Sequence, residues 1–306
     1  MDLRHLRYVV AIAEERHFTR AAERLGIGQP PLSQQIKALE GELGVRLFHR
    51  LPRGVELTAA GEAFVPIARS ALALAAKAVE AARRAASGEI GSLTIGFTGS
   101  ASFNPLVPRA ISRFRNAYPE LSITLVEATT SKLLTALADG RIDVAFLRPA
   151  AGEVTGLAVR PLPNEPLCIA MPSQHRLASC AEIELGQLAA EPFILYPREN
   201  GRSLYDSIIV ACQNAGFSPD VVQEAPQLAS TINLVAAGVG VAMVPTSMQQ
   251  ILAPGVRYLR ITGRSPSAHL AVAHCRNPKS PAVANFMRNI SASIAKASVM
   301  DDDLKR

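Results

Sequence analysis

An α/β fold behind an α-rich N-terminal segment is what three features of this 306-residue chain predict. Apolar residues recur at helical spacing over the first 44 residues, an alanine-rich stretch runs on from Thr58 to Ser87, and beyond Gly91 short β-prone runs alternate with helical ones. The length allows two or three compact units. A charged fraction of 19% beside 48% hydrophobic residues excludes a disordered or low-complexity scaffold.

In the N-terminal segment Leu3, Leu6, Val9, Val10 and Ala13 form one apolar stripe. Phe18, Ala21, Ala22 and Leu25 form a second, and Leu32, Ile36, Leu39 and Leu43 a third. Gly26-Ile27-Gly28 is a tight turn between the second and third. The third helix opens on Gln29-Pro30-Pro31, with proline in the first turn where its missing N–H costs nothing, and ends at Gly44. A supporting helix followed by two helices on a short glycine turn is a helix-turn-helix. Val45 to Phe48 and Val55 to Leu57, around Arg50-Leu51-Pro52-Arg53-Gly54, predict a hairpin that would be its wing.

From Thr58 to Ser87 the spacing predicts a helix of about 40 Å. Ala60, Phe64, Ile67, Ala71, Leu74, Ala78, Ala81 and Ala85 repeat at alternating steps of four and three, as in a coiled-coil seam, although an alanine-rich helix fits many registers. Ser87-Gly88 and Gly91 read as a hinge. The βαβαβ pattern that follows implies a parallel sheet: strands at Leu93–Thr98, Ser122–Glu127 and Asp143–Leu147, helices near Pro105–Ala117 and Ser131–Asp139. A second set comprises strands at Leu167–Met171, Phe193–Leu195 and Val239–Val244, with helices at Ser203–Ala215 and Leu228–Ala237; strand His269–Cys275 and helix Ala282–Ile294 close the chain. Two α/β lobes with a cleft between them are expected, with the chain crossing near Pro161 and returning near Gly263.

The run FTRAAERLGIGQPPLSQQIKALEGELGVRLFHRLPRGVELTAAGEAF resembles the N-terminal signature of LysR-type transcriptional regulators. Downstream, LTIGFTGSASFNPLVP, GRIDVAF, FILYPREN and LVAAGVGVAMVP resemble the effector-binding half of the branch that responds to benzoate, muconate and chlorocatechol products in aromatic catabolism. The resemblance implies a winged helix-turn-helix, a linker helix, and two lobes like those of periplasmic binding proteins. The expected bounds are 1–58 for the DNA-binding domain and 59–90 for the linker and hinge. Residues 91–162 with 267–306 form lobe I, and 163–266 form lobe II. The resemblance also implies a homotetramer built as a dimer of dimers, promoter DNA and RNA polymerase as partners, and no resident cofactor beyond a small-molecule carboxylate effector.

Gln29, Pro31, Ser33, Gln34 and Lys37 lie off the apolar stripe of the third helix and are free to face a DNA groove. By resemblance Gln29, Pro30 and Gln34 read bases. Gln34 stands where relatives often carry Arg, pointing to adenine reading or a weaker contact. Thr19, Arg20, Lys37, Arg50 and Arg53 are expected on phosphates. Residues 43–55 hold Arg46, Arg50 and Arg53 and no acid. The net charge of +6, of which residues 1–90 contribute +3, does not by itself mark a DNA binder.

Ligands of α/β sheets bind beyond the carboxyl ends of strands. Three such junctions are polar here, namely Gly99 to Asn104 with Ser100 and Ser102, Thr129-Thr130-Ser131, and Asn200-Gly201-Arg202-Ser203. They suit a small anion or, each taken alone, helix capping by Asn104, Thr130 and Ser203. The resemblance points to Ser100, Thr130, Arg148, Arg202 and Leu204 as lining residues, with Phe146 as an apolar wall. Arg148 is placed either on a carboxylate or in a bridge to Glu165. Arg202 adds charge where muconate-type relatives carry a small or apolar residue, pointing to a more anionic ligand.

No G-x-S-x-G occurs and the histidines (5, 17, 49, 175, 269, 274) are scattered, so no catalytic constellation is expected. Cys168, Cys180, Cys212 and Cys275 show no metal spacing. Redox sensing through Cys168 and Cys180 is the alternative regulator reading, and a solute-binding protein is the distant one. No membrane span is expected, and the mixed charge of MDLRHLRYVV, unlike a signal peptide, places the protein in the cytoplasm.

Overall fold

The structure, a computed structural model, describes residues 1–303 apart from 53 and 264, with side chains at 292–293 and 295–303 left undescribed. Two compact units divide between Arg84 and Ala85. The first contains α1 (Leu3–Glu15), α2 (Phe18–Leu25), α3 (Gln29–Leu43), β1 (Phe48–Leu51), β2 (Gly54–Leu57) and nearly all of α4 (Ala59–Ala86).

The three predicted stripes meet in one core, in which Val9, Ile12, Ala21, Ala22, Leu32, Ile36 and Leu39 are buried together with Leu47, Phe48 and Val55 of the wing. Asp2 caps α1, accepting from the Arg4 and His5 amides, and Gly26 ends α2 in the left-handed conformation at φ 68°. The wing starts at Phe48, three residues later than expected. The 45–47 segment bonds elsewhere: the Glu40 carboxylate accepts from the Leu47 and Phe48 amides at 2.7 and 3.2 Å, and Thr58 donates to the Arg46 carbonyl at 2.6 Å. Gly61 lies so close that a Cβ there would stand 2.1 Å from the Leu47 carbonyl oxygen, which is why only glycine fits at the start of α4.

Along α4, Gly61, Val65 and Ala68 face inward, and Ala60 and Phe64 of the predicted seam are drawn into the same core. Ile67 and Leu74 are left 71% and 69% exposed. Contrary to the sequence expectation, α4 is long and apolar enough to cross a membrane by length and composition. Its apolarity is mostly alanine, and Arg69 pairs with Glu14 at 3.0 Å.

The second unit runs β3 (Gly91–Phe97), α5 (Gly99–Ser102), α6 (Leu106–Ala117), β4 (Leu121–Glu127), α7 (Thr130–Ala138), β5 (Val144–Leu147) and β6 (Leu157–Pro161). It continues with β7 (Glu165–Pro172), β8 (Glu182–Ile183), β9 (Pro192–Leu195), α8 (Arg202–Asn214), β10 (Asp220–Glu224), α9 (Leu228–Ala236), β11 (Ala242–Pro245), β12 (Val256–Ile261), β13 (Ser267–Ala268), β14 (Ala271–Cys275) and α10 (Ala282–Asp303). The first lobe is a five-stranded sheet in the order β4-β3-β5-β14-β6, parallel among β4, β3 and β5 as the βαβαβ pattern requires, with β14 antiparallel to both neighbours. The second lobe holds the β11-β7-β12-β8 sheet and the parallel pair β9/β10.

Ser267 and Ala268 pair with β7, so they belong to the second lobe and the chain returns to the first only at β14, later than the expected boundary at 267. Each lobe has its own core. Phe114, Phe146 and Phe286 stack edge-on in the first, and Phe193, Leu195, Leu204 and Ile208 lie in the second.

Candidate functional sites

On the first unit, α3 buries Leu32, Ile36 and Leu39, which turns Pro30, Pro31, Gln34 and Lys37 outward and leaves Gln29 and Ser33 half-buried. Thr19 and Arg20 are exposed at the start of α2, where Arg20 also bonds the Glu15 carbonyl. Arg50 crosses from the wing to donate to the Ser33 hydroxyl at 2.6 Å, and its guanidinium lies 4.9 Å from the centre of the Phe18 ring. Ser33 is therefore engaged by the wing, and the bond holds the wing against the exposed end of α3. Arg53 lies outside the described residues. The result is a polar and basic helix face beside a basic hairpin, the arrangement that enters a major groove and grips flanking phosphates.

On the second unit a cavity of about 630 Å³ opens between the lobes. It is of the size and mixed lining that suit a small ligand. Apart from the single turn α5, three helix N-termini border it: Thr129 and Thr130 at α7, Gly201 and Leu204 at α8, Gln227 and Leu228 at α9. Thr129, not Thr130, caps α7, while Gly201 and Gln227 make no side-chain cap bond, leaving first-turn amides of α8 and α9 without that partner. Asn104 accepts from the Leu106 amide at 3.1 Å, whereas Ser203 caps nothing. Tyr196, also lining, donates to the Gly201 carbonyl at 2.9 Å, and burial pushes its phenol far above the ordinary range.

Arg148, 3% exposed, lines the cavity at the end of β5. Its Nε donates to Ser100 Oγ and its Nη2 to Glu165 Oε2, both at 3.1 Å, so the bridge to Glu165 is formed. Glu165 belongs to the second lobe and also accepts from Asn104 Nδ2 at 3.1 Å and from the Ser247 amide at 2.7 Å, tying the lobes together. Burial pulls the Arg148 guanidinium down from the usual arginine range, and the Glu165 carboxylate pushes it back. Two buried polar atoms of lining residues, Arg148 Nη1 and Thr98 Oγ1, have no hydrogen-bond partner.

A family model described as the bacterial regulatory helix-turn-helix protein, lysR family, matches residues 3–62, and one described as the LysR substrate binding domain matches residues 86–294. The chain belongs to the LysR family of transcriptional regulators. This LysR regulator is 40% identical to the HTH-type transcriptional regulator AlsR of Bacillus subtilis (strain 168), over 94% of each chain. It is similar to the crystal structure of CbnR, a LysR family transcriptional regulator, with a TM-score of 0.83 and 30% identity over 95% of this chain and 100% of that one. Full-length CbnR complexed with its target DNA matches with a TM-score of 0.79 and 29% identity, over 96% and 100%. DNA binding and transcription regulation are thus the activity of this LysR regulator, and its relatives are regulators rather than enzymes.

Of the effector residues expected from sequence, Ser100, Thr130, Arg148 and Leu204 line the cavity, and three do not. Ser102 turns its hydroxyl back onto the Gly99 carbonyl at 2.6 Å. Phe146, on a central strand flanked on both sides, is 1% exposed and packs against Phe286 in the core. Arg202 points away, 58% exposed and 3.7 Å from Glu153. Its case for a more anionic ligand falls with that placement. Sequence reasoning missed Glu127, Lys132, Tyr196 and Gln227. Each except Lys132 sits at a strand end or a helix N-cap, the positional signal that had identified the other junctions.

Cys168 is fully buried on β7 and burial pushes its thiol up to about 11, whereas Cys180 is exposed on the loop after it. A thiol held protonated at neutral pH is a poor redox sensor.

Proposed function

We propose that this LysR regulator binds promoter DNA in the cytoplasm as a dimer of dimers and is switched by a small carboxylate, aromatic or ring-cleavage-derived, held between its lobes. The observation that carries the effector reading is the pair of unpartnered buried polar atoms, Arg148 Nη1 and Thr98 Oγ1, on a cavity bordered by three helix N-termini. An anion satisfies the guanidinium and the amide dipoles together. The first lobe supplies Ser100, Thr98 and Arg148, and the second Tyr196, Gly201 and Gln227. A ligand touching both prefers one lobe arrangement over another, and only that differential affinity shifts the protein between states.

The seam residues Ile67 and Leu74, left exposed along α4, supply an apolar stripe for a second copy. Light scattering is expected to give a tetramer mass; a monomer mass rejects that assembly. RNA polymerase is the partner through which a change in the DNA complex is read out.

The effector reading is tested by melting the protein with benzoate, salicylate, muconate and aliphatic acids, and repeating with the Ser100→Ala/Thr130→Ala double variant. An acid at about 100 times its Kd adds about 2.7 kcal/mol of stability. A selective shift that the double variant loses is expected. No shift with any acid rejects the carboxylate reading.

A further inference from the structure

We propose that Glu127 sets the charge class of the effector: the cavity selects a monocarboxylate that also carries a hydrogen-bond donor, a hydroxyl or an ammonium group, and rejects dicarboxylates. The inference rests on the carboxylate reading above and narrows it to monocarboxylates, setting aside dicarboxylic ring-cleavage products such as muconate.

The charged residues lining the cavity are Glu127, Lys132 and Arg148. Arg148 is the only buried cation among them, and part of its charge is already answered by Glu165 at 3.1 Å. That leaves the demand of one carboxylate, not two. A second cation would have come from Arg202, but its side chain stands by Glu153 outside the cavity.

Glu127 ends β4 and faces the same space. Its Oε1 stands 2.9 Å from where a side chain on Gly99 would begin, next to Ser100, whose hydroxyl accepts from Arg148. The Glu127 carboxylate approaches Gly99, the residue next to Ser100, and lines the same cavity as Arg148, so the two present opposite charge to one ligand. No hydrogen bond or ion pair engages the Glu127 carboxylate among the described residues.

A ligand anchored by its carboxylate at Arg148 therefore meets an unengaged carboxylate elsewhere on the wall of the same cavity. A hydroxyl or ammonium group there gains a charge-assisted hydrogen bond, whereas a second carboxylate meets like charge. Lys132, in the first turn of α7, is exposed, and its ammonium is a strongly hydrated charge on a flexible stem, a weak counterweight.

The test is calorimetric titration of the full-length protein with two matched pairs, 4-hydroxybenzoate against terephthalate and 4-hydroxybutyrate against succinate. In at least one pair the hydroxy acid is expected to bind about tenfold tighter or more, and Glu127→Gln to narrow that ratio about tenfold by admitting the dicarboxylate. Lys132→Gln is expected to leave the ratio in place. Dicarboxylates that bind the unaltered protein as tightly as the hydroxy acids, with Ser100→Ala weakening both, overturn the role of Glu127 and leave the carboxylate reading standing. A preference that survives Glu127→Gln overturns it equally. Binding of none of the four probes overturns both.

Discussion

Arg148 and Glu165 hold opposite charges 3.1 Å apart at 3% and 7% side-chain exposure, and each belongs to a different lobe. Burying two ions costs several kcal/mol apiece, so such a pair is weak as a source of stability and strong as a constraint, because neither partner tolerates loss of the other. Arg148→Met is expected to destabilise the second unit by about 3–5 kcal/mol in urea unfolding. Adding Glu165→Gln is expected to return at least half of that, since Gln keeps an acceptor for the Ser247 amide and Asn104 without the charge. A double variant no more stable than Arg148→Met would show that packing, not the stranded carboxylate, sets the cost. The legibility of such residues in the sequence is uneven for a physical reason. Ser100 was legible as a polar residue beyond a strand end and Arg148 through the resemblance, but a side chain's direction is set by its neighbours. Phe146 and Arg202 were carried over from the resemblance, and they point to the core and to Glu153.

At the scale of elements, α3 and the wing work as one surface because Arg50 bonds Ser33 and Glu40 holds the wing's first amides. Gln29→Ala is expected to cost about 1–3 kcal/mol on operator DNA and to relax discrimination against scrambled DNA. Arg50→Ala is expected to weaken both DNAs about equally and to lower the salt slope by about one. Anisotropy titrations over a salt series separate the two, and an unchanged operator-to-scrambled ratio in Gln29→Ala would remove Gln29 from base reading. The helix-turn-helix was readable because three amphipathic stripes and a glycine turn leave few alternatives, and the βαβαβ lobe because its strands are apolar runs. Strand β10, DVVQE, is exposed along its whole length and offered no burial pattern to read. Strand β12, VRYLRI, carries its arginines three apart, off the period of two that marks a strand, and passes for loop or helix until β7 supplies its partner. The wing's start was misplaced because the amides of Leu47 and Phe48 are taken by a glutamate on α3, a tertiary contact that local pattern does not carry.

In the whole molecule, the cavity's two walls come from different lobes and the Arg148–Glu165 bridge ties those lobes together, so a ligand that touches both walls is expected to shift their arrangement. Linkage then requires reciprocity: an effector that changes DNA affinity by some factor is itself bound more or less tightly by that factor when DNA is present. Typical coupling of about 1–3 kcal/mol corresponds to roughly 5- to 150-fold. The most direct test is a footprint of the full-length protein on the promoter region beside its own gene, with and without the acid that raises its melting temperature most. The acid is expected to change the extent or affinity of protection, and Ser100→Ala/Thr130→Ala to bind the same DNA yet no longer respond. A protein that binds the acid in the cavity while its footprint stays the same at every acid concentration would contradict that expectation.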